Sequence, residues 1–385
     1  MVPLLCLCAI ILFFALRDSR APVNSSIAEP NVEELQALPY IQWSEEKADQ
    51  KHSAVTIYDR NRAVIGYNLY TNDVDEAYLM DMNGRRLHTW RLGKGKKKCE
   101  YAVLLPNREL ISVCMGQGIV KVNSASNILW KLQLFVHHDI EPLADGSYFS
   151  IARERALEYK SRFVIFDSII RISPDGSVIN KWSTFQNLST LKKFHQPLTL
   201  DIPAKKTDPK KYDYYHLNTV KLLPETSLGK TDSRFRAGNL LICLRNVNLI
   251  AILDQKTWKV VWSWGPGELE WPHMPVMLPV GNIIIFDNGV KRKYSRVLEL
   301  NPVTEKIIWK YEGKPLKSFF SGIQGSAQRL SGGNTLICES MRGHAFEVDR
   351  DGKIVWEFWN PDIKKGKRKT IYRLMRVEKD LYAIP

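Results

Sequence analysis

This chain of 385 residues carries no recognisable metal-ligand spacing, no acidic cluster of the calcium-binding type and no long amphipathic helix beyond its first residues. The first absence excludes the small zinc-stapled modules, whose ligands sit close together in sequence. Cysteine is also scarce. Of six, Cys6 and Cys8 fall in the first apolar run, which leaves Cys99, Cys114, Cys243 and Cys338 for the body. Cys243 and Cys338 lie in apolar, strand-like runs, where a free buried thiol is the ordinary state. A chain that is 44% hydrophobic does not require a disulfide framework to build its core.

Acidic residues are outnumbered 41 to 55, for a formal charge of +14. The excess is gathered in clusters at Lys94 to Lys98, Lys205 to Lys211, Lys291 to Lys293 and Lys364 to Lys369. They lack interleaved aromatics and match no recognition module, so nucleic acid is excluded as the partner. Solvated rims, steering of anionic substrates and contact with an anionic surface are the readings left. The opening apolar run, Val2 to Leu16, has 15 residues. That falls short of the roughly 20 needed to span a bilayer and fits a signal-peptide core. No Lys or Arg precedes it and no clean cleavage site follows, so residues 1–20 read as a signal peptide or a membrane anchor. Residues 21–51 read as a linker, with a short helix over Val32 to Leu38. The protein is therefore expected to be exported, with its body periplasmic, secreted or membrane-anchored.

What the sequence does contain is a repeat. Six times an Asn or Asp stands seven or eight residues before a tryptophan: Asn83 to Trp90, Asn123 to Trp130, Asp175 to Trp182, Asp254 to Trp262, Asn301 to Trp309 and Asp349 to Trp356. Turn residues between alternating apolar runs mark β-hairpins. Before the later hairpins comes a Leu, a turn often containing Gly-Asn, and a strongly apolar strand, as at Gly238-Asn239, Gly281-Asn282 and Gly333-Asn334. Each unit thus offers four strands over about 40 to 50 residues, apart from an insertion between Ser183 and Tyr212. Units of this kind repeated radially make a β-propeller. The reading is all-β: a six-bladed β-propeller with four-stranded blades over residues 52–385.

In a propeller the innermost strand of each blade lines a central channel, and here it should end at the Leu before the turn. Counting five positions back from Leu105, Leu143, Leu223, Leu278 and Leu330 gives Glu100, His138, Asn218, His273 and Gly325. His216 stands two residues before Asn218, and strand alternation puts both on one face. Three of eight histidines therefore point to one channel. Neutral imidazoles there can ligate a metal, exchange protons or act as nucleophiles; each histidine is also the type of residue that bridges strands as a satisfied polar group. Arg245 closes the apolar strand Leu240 to Leu244 at a channel mouth. Arg153 occupies a similar place, where rim solvation explains it equally well.

The motifs His137-His138-Asp139-Ile140, Tyr215-His216-Leu217-Asn218-Thr219-Val220, Cys243-Leu244-Arg245-Asn246, Trp271-Pro272-His273, Phe286-Asp287-Asn288-Gly289 and Tyr294-Ser295-Arg296-Val297 resemble, in order and spacing, those of the bacterial arylsulfotransferases. The resemblance runs from about Asn61 to Val377. It implies an exported propeller enzyme that needs no nucleotide sulfate donor, with a catalytic set matching His138, His216, Arg245 and His273. It further implies transient sulfation of His273, with His137 as the alternative to His138. From their places on the strands, His137, Asn218 and Arg153 are read as substrate-binding residues. The implied partners are an aryl sulfate donor and a phenolic acceptor, with no diffusible cofactor and no metal. The chain departs from the family in lacking most of an amino-terminal β-sandwich and a cysteine pair before His273. Two other classes are open: a non-catalytic propeller that binds a partner at its channel or face, and a quinone-dependent dehydrogenase. The second is disfavoured by six tryptophan units rather than eight.

Overall fold

The computed structural model of the chain describes residues 43–49, 51–71, 74–93, 98–202 and 208–378. The apolar leader, Cys6, Cys8 and the helix expected over Val32 to Leu38 lie outside them. Within them the chain is almost entirely β, in two small three-stranded sheets and six larger ones, each of the six built on four antiparallel neighbours. The strands nearest the middle are Leu374–Glu378, Cys99–Leu104, Val136–Pro142, Leu217–Leu222, His273–Met277 and Ser326–Arg329, in sheets one to six. In five of these the strand stops one residue before the Leu used above as anchor, and the anchor's own N–H closes the turn; Leu223 bonds Asn239 and Leu278 bonds Asn282.

The first sheet has no such anchor. Its inner strand, Leu374–Glu378, comes from the far end of the chain and pairs with Gly66–Thr71. Sheet leads to sheet by hydrogen bonds. Thr71 donates to the carbonyl of Glu100, Gly116 to Val136, Val220 to Asp139, Met274 to Thr219, Asn288 to Gln324, and Gln328 to Arg376. This is a β-propeller, whose successive sheets are joined to their neighbours by these bonds.

The six repeat tryptophans all stand on the fourth strand of their sheets, counted from the inner one. The repeat is thus explained by packing between sheets as well as within one. Trp262, Trp309 and Trp356 each donate an indole N–H to the hairpin turn of the following sheet, at Pro302, Arg350 and Met82. Trp130 lies against the next turn without that bond. A Cβ at Gly176, whose φ is +94°, would sit 2.8 Å from its ring, so glycine is required there by both conformation and space.

Two elements lie outside the repeat. Trp43–Lys47, at the end of the segment read as a linker, is a strand paired with Lys367–Lys369. Ala54–Tyr58 joins the sixth sheet as a fifth, outermost strand. The insertion before Tyr212 holds a short helix, Leu188–Leu191, and a strand, Asp208–Asp213, that runs parallel to Arg162–Ile165. Cys243 and Cys338 are free and buried as expected, whereas Cys99 and Cys114, directly opposed on adjacent strands, form a disulfide that their spacing did not announce.

Candidate active site

The inner strands are not regular where they carry the expected site residues. Register slips between His137 and Ile140, between Leu217 and Thr219, and between His273 and Val276. His138 and His216 have left-handed backbones, with φ of +64° and +51°. Bulges re-aim side chains and are common beside functional sites. The two imidazoles are therefore brought together by bulges; His216 precedes its strand, and the alternation used to place it beside Asn218 does not operate there.

The result is a series of contacts across two sheets. Asp167 Oδ1 lies 3.0 Å from His137 Nε2, and His137 Nδ1 lies 2.6 Å from His138 Nδ1. His138 Nε2 is 3.1 Å from His216 Nε2, and His216 Nδ1 is 2.6 Å from Asp213 Oδ2. Arg153, expected at a solvated rim or on substrate, is 8% exposed and donates to the same carboxylate oxygen of Asp213 at 3.0 Å. Asp213 ends the strand delivered by the insertion. His137 is fully buried between sheets, while His138 meets His216 and Tyr372, which separates the adjacent pair that the sequence left open.

His273 is held from behind. Its Nδ1 lies 2.7 Å from Asn288 Oδ1 and 3.0 Å from the carbonyl of Trp271. Asn288 spends both amide hydrogens on the carbonyls of Ser321 and Gln324, so its oxygen faces the ring. Two acceptors at Nδ1 require the hydrogen there, and the lone pair is left on Nε2. Burial, then the positive charge of Arg245, lowers the His273 imidazole to about 3, so it is neutral at ordinary pH. Burial is also the main reason that His138 and His216 are held well below the usual imidazole range. The neighbouring histidines act in the same direction on His138, and Arg245 and Arg153 on His216.

Arg245 stands in a turn, Arg245–Val247, directly after the strand Leu240–Leu244. Its guanidinium carbon lies 4.4 Å from the centre of the Trp271 ring, and Nε and one terminal nitrogen donate to Asn246 Oδ1 at 3.1 Å each. The planar cation is thus clamped by Asn246 and stacked on Trp271, which stands two residues before His273 in sequence. Asn218 is buried, donating to the carbonyl of Pro272 and accepting from Thr219. It ties the His216 strand to the residue before His273, and both ends of its amide are taken up in that work.

Sequence reasoning did not single out Asp167, Asp213, Tyr372 or Arg373. Arg373 is 3% exposed, donates to Asp139 Oδ1 at 2.8 Å and lies 4.4 Å above the Tyr101 ring. Tyr372 and Arg373 arrive with the closing strand, which no Leu-turn anchor marks. Asp213 could have been found from its place three residues before His216. No group of His, Cys, Asp and Glu among the described residues is arranged to hold a metal ion. A cavity of about 320 Å³ lies elsewhere, between Tyr311, Glu339, Arg342, His344 and Trp359, and includes none of the histidines above.

The fold defines the class as a β-propeller, and it brings three bonded imidazoles, a separate neutral histidine and a clamped guanidinium to neighbouring sheets. The chain belongs to the arylsulfotransferase (ASST) family, whose model matches residues 102–361. No curated protein matches the sequence. Among solved structures the chain is similar to a protein of unknown function from Bacteroides caccae, with 13% identity and a TM-score of 0.52 over 80% of this chain and 98% of that one. It is less similar to a streptogramin B lyase, with 11% identity and a TM-score of 0.47 over 85% and 86%. The WD40 β-propeller domain of Doa1 gives 11% and 0.41 over 81% and 78%.

Proposed function

We propose that the chain moves a sulfuryl group from an aryl sulfate to a phenol in two displacement steps, through a sulfated His273. Family membership supports an arylsulfotransferase activity. The observation that carries the finer reading is the fixed tautomer of His273, which leaves Nε2 neutral and available as nucleophile beside Arg245. Sulfuryl transfer, like phosphoryl transfer, asks the protein mainly to position a nucleophile and to neutralise charge on oxygen. Arg245 suits the spectator oxygens, since its planar fork spans two of them. One such preorganised donor is worth about 3 to 4 kcal/mol in the transition state. The donor brings the sulfate itself, so no diffusible cofactor enters the cycle.

The five four-stranded sheets and the five-stranded sixth are read as six blades of one ring. The hydrogen bond from Gln328 to Arg376, between the sixth sheet and the carboxy-terminal strand of the first, supports closure. A disulfide between Cys99 and Cys114 supports an oxidising destination, and with it export. No helix among the described residues is long and apolar enough to cross a membrane. The test is incubation of the purified protein with a fluorogenic aryl sulfate, with and without a phenol. Wild-type protein should release fluorophore faster when phenol is present, and His273→Asn should do neither while keeping its far-UV spectrum. Transfer at the wild-type rate by that variant would sink the covalent route.

A further inference from the structure

We propose that His137, His138 and His216 form a relay holding a single proton between Asp167 and Asp213, which His138 passes to the departing phenolate and which His137 and Asp167 store. The use made of the proton rests on the sulfuryl-transfer reading above; the count does not. Four contacts run in series from Asp167 to Asp213, at 3.0, 2.6, 3.1 and 2.6 Å. Each is at hydrogen-bond distance and needs one hydrogen. Carboxylates only accept, so His137 Nε2 and His216 Nδ1 must each carry one. The two nitrogen-to-nitrogen contacts need one each as well. Three neutral imidazoles supply three hydrogens in all. The fourth is an additional proton, without which two lone pairs would face each other in a buried site.

The surroundings say where it rests. Groups facing the relay are Asp167 behind His137, Tyr372 beside His138, Asp213 and Arg153 at His216, and Arg245 and His273 toward the middle. Burial and these cations oppose a charge on His138 or His216. His137 is the ring that faces a carboxylate and does not touch an arginine. With His137 as imidazolium, its Nδ1 donates to His138, His138 Nε2 donates to His216, and His216 Nδ1 donates to Asp213. All four contacts are then satisfied.

In the first displacement the His273 Nε2 lone pair forms the N–S bond, the S–O bond to the aryl group breaks, and its electron pair goes to the aryl oxygen. His138 Nε2 turns its hydrogen from His216 to that oxygen and Nδ1 takes the one from His137, leaving three neutral imidazoles, a free phenol and an emptied His138–His216 contact whose facing lone pairs favour the return of a proton. In the second displacement the acceptor phenol returns a proton along the same path as its oxygen attacks sulfur and the N–S pair returns to Nε2. His137 lies between Asp167 and His138, so it reaches the aryl oxygen only through His138 and is a positioning residue.

Asp167→Asn tests this without opening a hole. Its oxygen still accepts the N–H of Leu217, which Asp167 binds through Oδ2 at 2.8 Å, and its amide donates to His137 Nε2. That reverses one link, so neutral imidazoles satisfy every contact and the stored proton is gone. The variant should lose about 100-fold in turnover on phenyl sulfate, whose leaving group needs the acid. On 4-nitrophenyl sulfate, whose phenolate departs unaided, it should lose less than about threefold. ¹⁵N spectra of histidine-labelled protein at neutral pH should show one imidazolium coupled to neutral rings in wild type and none in the variant. Equal losses on both donors, or three neutral imidazoles in wild type, would overturn the relay. Wild-type protein inert to every donor would instead refute the transferase reading, and the spectra would still decide the proton count.

Discussion

Asn288 sets the tautomer of His273 from 2.7 Å away, and can do so because its own amide hydrogens are already committed to Ser321 and Gln324. Orientation by an outer partner of this kind is commonly worth about 10- to 100-fold when it is lost. Asn288→Ala should therefore lower kcat by about that factor, with KM for the aryl sulfate little changed. The Trp271 carbonyl continues to accept from Nδ1, which keeps the loss below that of His273→Asn. A ¹⁵N spectrum in which the His273 hydrogen stays wholly on Nδ1 in the alanine variant, with unchanged kcat, would remove Asn288 from this role.

The repeat and the candidate site residues were legible in the sequence for a physical reason: each is fixed by short-range rules. A turn residue and a tryptophan seven or eight positions apart describe one hairpin, and a Leu before a Gly-Asn turn marks the end of one strand. His138, His216, His273 and Arg245 were reachable from those marks. Asp167 was not, because its partner His137 lies 30 residues away; Asp213 stands three residues before His216, but the path of the insertion that aims it there was not legible. Arg373 and Tyr372 escaped because the first sheet borrows its inner strand from the other end of the chain. The facing of His216 was obtained by alternation, but a left-handed residue at a bulge places it.

Closure of the ring can be tested at Trp356, whose indole donates to the carbonyl of Met82 at 2.9 Å across 274 positions. Trp356→Phe keeps most of the buried ring and removes that bond, and should cost about 0.5 to 1.5 kcal/mol beyond the change in packing. Trp90 occupies the same place in the first sheet, and its indole nitrogen has no hydrogen-bond partner among the described residues. Trp90→Phe should accordingly be the milder of the two in chemical denaturation. An equal or reversed order would show that the Met82 bond does not hold the last sheet to the first.

Two histidines should shape stability against pH in opposite directions. Burial, then Arg245, lowers His273 from the usual 6.5 to about 3. The unfolded chain takes up that proton near 6.5 and the folded chain only near 3, so this contribution is whole above 6.5 and drains away as pH falls toward 3. Burial also works to lower His344, but its hydrogen bonds to Glu339 and Glu357, at 2.8 and 3.0 Å, prevail and raise it. Its contribution is whole below 6.5 and is lost as pH climbs through the raised value. Melting curves should show His273→Gln with a flatter acid limb and His344→Gln with a flatter alkaline limb. Parallel curves for the two variants would contradict both assignments.

Arg245 allows charge and geometry to be separated. Its guanidinium is stacked on Trp271 at 4.4 Å and clamped by Asn246, so its fork is aimed before substrate arrives. Lysine keeps the charge but offers a point cation on a flexible stem, with neither the stacked plane nor the paired donors. Arg245→Lys should fold normally and still bind an aryl sulfate, yet lose about 10- to 1000-fold in turnover because the transition-state oxygens are no longer held in register. Arg245→Ala should lose at least as much. The same charge adds to burial in depressing His273, so Arg245→Ala should let that imidazole rise only part of the way from about 3, while Arg245→Lys should leave it nearly unchanged. A pH–rate profile distinguishes the two effects. If turnover recovers to the wild-type level in Arg245→Lys, electrostatics alone is Arg245's contribution and the bidentate grip on the sulfuryl oxygens is refuted.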